Sequence, residues 1–168
     1  MSDVLVLCYH AMSRAWGAGF SATPDRLEAQ IGSLLERGYE GATFSDAVNR
    51  PLPERALAVT FDDSYRSVFE LAAPVLARLG VPGTVFVPTA AAGSERPMAW
   101  PGIDHWLGGP HEQELMPMSW DELGELAKAG WEIGQTWMRE NGRQFVVLPY
   151  TEGVSSTGLK SAVRARTA

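Results

Sequence analysis

Two adjacent carboxylates, Asp62 and Asp63, close an apolar run that begins at Ala56 and ends at Phe61. A buried strand ending this way delivers acidic groups to the rim of a parallel sheet, where a proton-accepting base and a metal ligand can divide a reaction between them. Adjacent side chains on an ideal strand point to opposite faces, so one site can use both carboxylates only if the chain bends out of the sheet there. Ser64 and the helical stretch after it make such a bend plausible. The plainer alternative is that the pair caps the following helix, a position Asp favours.

Three further groups of residues have chemistry to offer. His10 ends another apolar run and is expected at the same rim, either touching substrate or metal or bonded to backbone as an ordinary strand-end histidine. His105 and His111 lie beside Asp104 and Glu112, but their spacing matches no helix or strand geometry that would preorganise metal ligands, so they read as exposed loop histidines. Trp100, Trp106 and Trp120 border the same stretch, where aromatic rings either stack on sugar faces or close a hydrophobic mouth; Trp100 is the candidate substrate contact. No Gly-rich phosphate loop and no Gly-x-Ser-x-Gly elbow occurs, which leaves little support for a nucleotide enzyme or a serine hydrolase.

The elements that must hold these residues alternate between strand and helix. Val4 to Tyr9 is a continuous apolar run of strand length, as expected for a strand covered on both faces, with Cys8 buried in it. Thr23 and Pro24 look like the N-cap and first residue of a helix, with Leu27, Ile31, Leu34 and Leu35 at helical spacing until Gly38. A short strand near Gly41 to Phe44 and a helical turn from Ser45 and Asp46 come next. Val68 to Leu79 reads as helix with Pro74 marking a break or fresh turn, Gly80 ends it, and Thr84 to Val87 is a strand. From Ala90 to Pro117 the pattern loses its periodicity, as in long loops that line sites. Ser119 to Glu122 then forms a capping box, Leu123, Leu126 and Ala127 share a helix face, and Trp131 to Ile133 is a strand. Phe145 to Leu148 is a last candidate strand.

At 168 residues, 45% apolar and 20% charged, the chain fits one globular α/β domain and can bury a core without a staple. A formal charge of -6 with no basic cluster argues against nucleic acid. One cysteine excludes an intrachain disulfide. The short N-terminal apolar run has no basic leader and no stretch is long enough to span a membrane, so the default expectation is a cytoplasmic location.

The ordered set Tyr9-His10, Thr60-Phe61-Asp62-Asp63, Gly83 to Val87 and Gly130-Trp131-Glu132-Ile133-Gly134 resembles the polysaccharide deacetylase family, the NodB-homology domain of carbohydrate esterase family 4. The likeness runs from about residue 3 to Gly134. It implies a distorted (β/α) barrel that hydrolyses N- or O-acetyl groups on sugars with a divalent metal, commonly zinc. Asp62 would be the general base and Asp63 a metal ligand. The family's other two ligands are histidines in a His-x-x-x-His turn after a Glu-Ile-Gly-Ser sequence; here those positions carry Thr136 and Glu140, of which only Glu140 is a plausible cation ligand. Pro149-Tyr150 faintly resembles a Pro-Tyr pair that lines the family's site, which makes Tyr150 a candidate substrate contact.

The interval between these last motifs is shorter than in the family, so the barrel is expected to be incomplete at its C-terminal end, with 1–134 the NodB-like domain and 135–168 a divergent segment of it. Unpaired strand edges then predict self-association. Two readings follow: a metal-dependent deacetylase acting on an acetylated carbohydrate, or an inactive, truncated relic of the fold that still binds glycans.

Overall fold

The computed structural model describes residues 3–49 and 55–134. The N-terminal run forms β1 (Asp3–Tyr9), followed by β2 (Ala11–Met12) and β3 (Ser21–Ala22), which pair with each other in parallel. Helix α1 (Pro24–Glu36) starts as its sequence requires: the Thr23 hydroxyl accepts from the Arg26 N–H at 3.2 Å and Pro24 occupies the first turn, where its missing N–H costs nothing. Leu27 and Ile31, four residues apart on one face, are fully buried. Then come β4 (Glu40–Ala42), α2 (Phe44–Asn49) and β5 (Arg55–Asp62).

A turn of π-helix, Val68–Ala72, runs into α3 (Ala73–Leu79), so the break expected at Pro74 is a change of helical pitch at its doorstep. Strand β6 (Gly83–Phe86) follows. The long stretch after it holds two short 3₁₀ turns, Asp104–Trp106 and Glu112–Leu115. Helix α4 (Trp120–Lys128) opens with the expected capping box between Ser119 and Glu122, and β7 (Glu132–Ile133) closes the described residues.

All five main strands run parallel around β5. Strand β1 pairs with it along its whole length, from Asp3 opposite Arg55 to Tyr9 opposite Phe61. The opposite edge of β5 is shared: β4 takes Ala56 to Ala58, and β6 takes Val59 to Asp62. Strand β7 pairs with β6. The sheet therefore forks at β5, and the C-terminal ends of β1, β5 and β6 lie side by side, in register near Phe61 and Asp62.

One face of β5, with Leu57, Val59 and Phe61, packs against α1, α3, α4 and Trp131 in the main core. Burial of each such large side chain contributes roughly 1.5 to 3 kcal/mol. Rings run across the strands here, with Phe61 stacked on Tyr9 at 5.7 Å and on Trp131 at 5.6 Å. That stack requires a glycine beside it, because a Cβ on Gly83 would lie 2.3 Å from the Trp131 ring. The other face of β5 carries Ala56 and Ala58, covered by Ala42, Phe44 and Ala47.

Two expectations need correction. Cys8 is exposed rather than buried, and β1 is covered on one face only: Val4 and Val6 are 38% and 41% exposed while Leu5, Leu7 and Tyr9 pack on the core. A continuous apolar run does not reveal that one of its faces has no covering layer. Among the described residues the sheet is open, with β1 at one end and β7 at the other. No helix among them is long and apolar enough to cross a membrane.

Candidate active site

The bend that the carboxylate pair needs is present. Asp62 ends β5, and the next two residues leave the sheet with positive φ, 67° at Asp63 and 48° at Ser64. Both angles lie in the left-handed region, which costs an L-residue roughly 1 to 2 kcal/mol. Asp tolerates it better than most because its short side chain can bond locally. Such backbone persists only where its surroundings hold it.

The holding groups come from the end of the long loop. The Ser64 carbonyl accepts from the Met118 N–H at 2.8 Å, the Arg66 N–H donates to the Met116 carbonyl at 2.8 Å, and Tyr65 forms an antiparallel bridge with Pro117. Arg66 Nε also lies 3.6 Å from Glu122 Oε1, an ion pair too long to be a hydrogen bond, while the same carboxylate caps α4 through Ser119. On the other side, the Ser67 hydroxyl accepts from the Met12 N–H at 3.0 Å. The strained turn is thus fastened to α4 and to β2.

Turned out of the sheet, the Asp63 carboxylate comes within 4.0 Å of His10 Nε2 at the end of β1. Burial pushes the Asp63 carboxyl above the usual range, with the charge of Asp62 adding to the rise and His10 opposing it. Asp62 stays on the sheet face shared with Thr60 and Cys8; loss of water around the thiol, then the charge of Asp62, raises Cys8. Tyr65 is fully buried and stacked on Phe20 at 6.1 Å, and its burial, with Asp63 nearby, drives the phenol well above its ordinary value. The hydroxyls of Ser64 and Tyr65 are buried with no hydrogen-bond partner among the described residues.

The structure therefore brings Asp62, Asp63 and His10 to one rim. It places Trp100 in the long loop, partly buried on the core, with its carbonyl accepting from Ile103 and Asp104. His111 stacks on Trp16, and His105 tilts against Trp106. Glu140 and Tyr150 lie outside the described residues, as do Thr136 and the strand expected at Phe145 to Leu148.

A catalytic zinc takes three protein ligands and a water. Among the described residues no group of three or more His, Cys, Asp or Glu side chains is placed to hold a metal, and at the rim the facing pair is Asp63 and His10. That donor set does not fit the metal on its own.

Sequence reading missed most of the residues that support the site. Ser64 enters it only as part of the bend, and Tyr65 and the Met116–Met118 segment carry no motif that announces a clamp. Glu132 enters the sequence reading through its strand and the Gly130–Gly134 motif, with no partner named, yet its carboxylate accepts from the Ser45 N–H at 2.9 Å, from the Ser45 hydroxyl, and from the Thr84 hydroxyl at 3.2 Å. It fastens the start of α2 to β6 and β7.

Comparison with known proteins decides the family. The profile of the polysaccharide deacetylase family matches residues 49–143, more than half of the chain. The chain belongs to the polysaccharide deacetylase family. Members of this family are hydrolases that act on acetylated carbohydrates. Among solved structures, the fold is similar to IcaB from Ammonifex degensii, at 24% identity with a TM-score of 0.60 over 80% of this chain and 52% of that one. It is also similar to a de-N-acetylase from Aggregatibacter actinomycetemcomitans, at 19% identity and a TM-score of 0.61 over 77% of this chain and 53% of that one. The deacetylase PplD from Streptococcus pyogenes, solved with acetate, matches at 16% identity and a TM-score of 0.58 over 96% of this chain and 80% of that one. The chain spans about half the length of the first two of these structures. No curated protein matches it.

Proposed function

We propose that the rim site belongs to a carbohydrate deacetylase that removes N- or O-acetyl groups from sugars. The observation that carries this reading is the turn at Asp63 and Ser64, which sets the Asp63 carboxylate 4.0 Å from His10 while its neighbour Asp62 ends the strand at the same rim. Asp62 accepts a proton from the water that attacks the acetyl carbonyl. The C–N or C–O bond then breaks, Asp62 returns the proton to the leaving nitrogen or oxygen, and acetate departs. His10 hydrogen-bonds the substrate. Asp63, which faces it, orients the imidazole. A positioned base of this kind supplies about 10² to 10⁴ in rate.

The test is acetate release from acetylated chito-oligosaccharides and from acetylated sugar esters, with and without zinc. Asp62→Asn should lower the rate at least about 100-fold. No acetate from the unaltered protein under either condition rejects the activity.

A second reading is a glycan-binding member without turnover, favoured by the two-donor set at the rim. Stoichiometric zinc retained after dialysis, and lost in Asp63→Ala, counts against it.

A further inference from the structure

Trp120 is the most exposed large apolar side chain among the described residues, at 53%, although tryptophan usually keeps most of its surface covered. Its position is nevertheless fixed. It is the first residue of α4, directly after the capping Ser119, and the pyrrole side of its indole lies against Gly93. Gly93 has φ of 72°, and a Cβ there would come within 2.6 Å of Trp120 Cδ1, so only a bare backbone admits the ring. The indole is thus seated on one side and open to water on the other.

The seat is continuous with the carboxylate turn. Met118 donates to the Ser64 carbonyl through its N–H and accepts from the Gly93 N–H at 3.0 Å through its carbonyl, so one residue ties both together. A hydrogen-bonded backbone pair places Cα atoms about 5.5 Å apart, and two further residues reach at most about 7 Å. The Trp120 Cα therefore lies no more than about 13 Å from that of Ser64. A separation of that size is one that a linear saccharide of a few units spans.

We infer that Trp120 is a saccharide-binding platform, on which the apolar face of a pyranose ring stacks while another unit of the same chain lies at Asp62 and Asp63. This inference deepens the carbohydrate reading of the site and rests on it. An indole serves such a role because it offers a large, rigid apolar face at little cost in lost side-chain freedom.

The experiment uses the full chain and the hexamer of N-acetylglucosamine. Binding is measured by calorimetry, and the six indole N–H signals are followed by NMR, with the Trp120 signal assigned from Trp120→Phe. Trp120→Ala should weaken binding about threefold to tenfold, and Trp120→Phe should keep most of the affinity. The Trp120 signal of the unaltered protein should move during titration, a readout that does not depend on the alanine variant folding. An unmoved Trp120 signal, an alanine variant that binds as tightly as the parent, or no binding of the hexamer overturns the inference. Acetate release measured alongside separates the two readings. Release with an unmoved Trp120 signal rejects the platform alone, whereas a moving signal without release rejects the catalysis and leaves the platform standing.

Discussion

Replacing Ser64 with glycine should make the protein more stable, even though it removes a side chain from the centre of the site. The φ of 48° at Ser64 places an L-residue in left-handed backbone, which costs roughly 1 to 2 kcal/mol. Its hydroxyl is buried with no partner among the described residues, and a lost hydrogen-bonding group of that kind costs roughly 1 to 3 kcal/mol. Against these stands the greater freedom that glycine gives the unfolded chain, worth roughly 0.5 to 1 kcal/mol. Taking the low end of each gain, Ser64→Gly stabilises by about 1 to 1.5 kcal/mol, or roughly 2 to 6 °C in unfolding midpoint for a chain of this size. Urea and thermal unfolding of Ser64→Gly and Ser64→Ala together separate the contributions. The alanine variant relieves the buried hydroxyl and keeps the strain, so glycine should exceed it. If glycine is no more stable than alanine, the positive φ carries no strain and the argument that the Met116–Met118 segment restrains a stressed turn is wrong.

Other outcomes follow from the same structure. Burial raises the Asp63 carboxyl, so the folded state holds that proton more tightly than the unfolded chain; stability from this group falls as pH rises from the unfolded value through the folded one. Asp63→Asn should therefore stabilise at pH 7, with the advantage shrinking on acidification through that window, as followed by urea midpoints against pH. Glu132→Ala removes the acceptor shared by Ser45 and Thr84 and should cost about 2 to 4 kcal/mol in urea unfolding; a cost under about 0.5 kcal/mol means α2 is held by packing instead. Gly83→Ala should lose about 1 to 3 kcal/mol, because the new methyl collides with Trp131. Strand β1 pairs on one edge among the described residues and exposes Val4 and Val6, so light scattering should show self-association that Val6→Lys reduces; a clean monomer sinks this prediction.

Local signals carried much of the fold. The caps at Thr23 and Ser119, the spacing of Leu27 and Ile31 and the run from Ala56 to Phe61 each have a short-range cause, and each element formed where that cause placed it. The order of motifs also carried the family. What escaped were features settled by distant parts of the chain. Cys8 looked buried because its neighbours are apolar, but burial depends on whether a layer covers that face. The bend at Asp63 was recognised as a requirement, while its fastening by Met118, 54 positions beyond Ser64, left no mark in local composition. Glu132 likewise finds Ser45 across 87 positions. Trp100 was singled out for its residue type and its place beside the long loop, and it packs in part against the core.

The pairing of β1 with β5 has a consequence for synthesis. Asp3 meets Arg55 and Tyr9 meets Phe61, so β1 waits for its partner β5 until the ribosome has made some fifty more residues. At roughly 5 to 20 residues per second that delay is roughly 3 to 10 s. Helix α1 needs no such wait, because its hydrogen bonds are local. During that interval the apolar segment Val4 to Tyr9 is open to misassociation, and the arrival of β5 ends it by pairing a backbone edge of the strand.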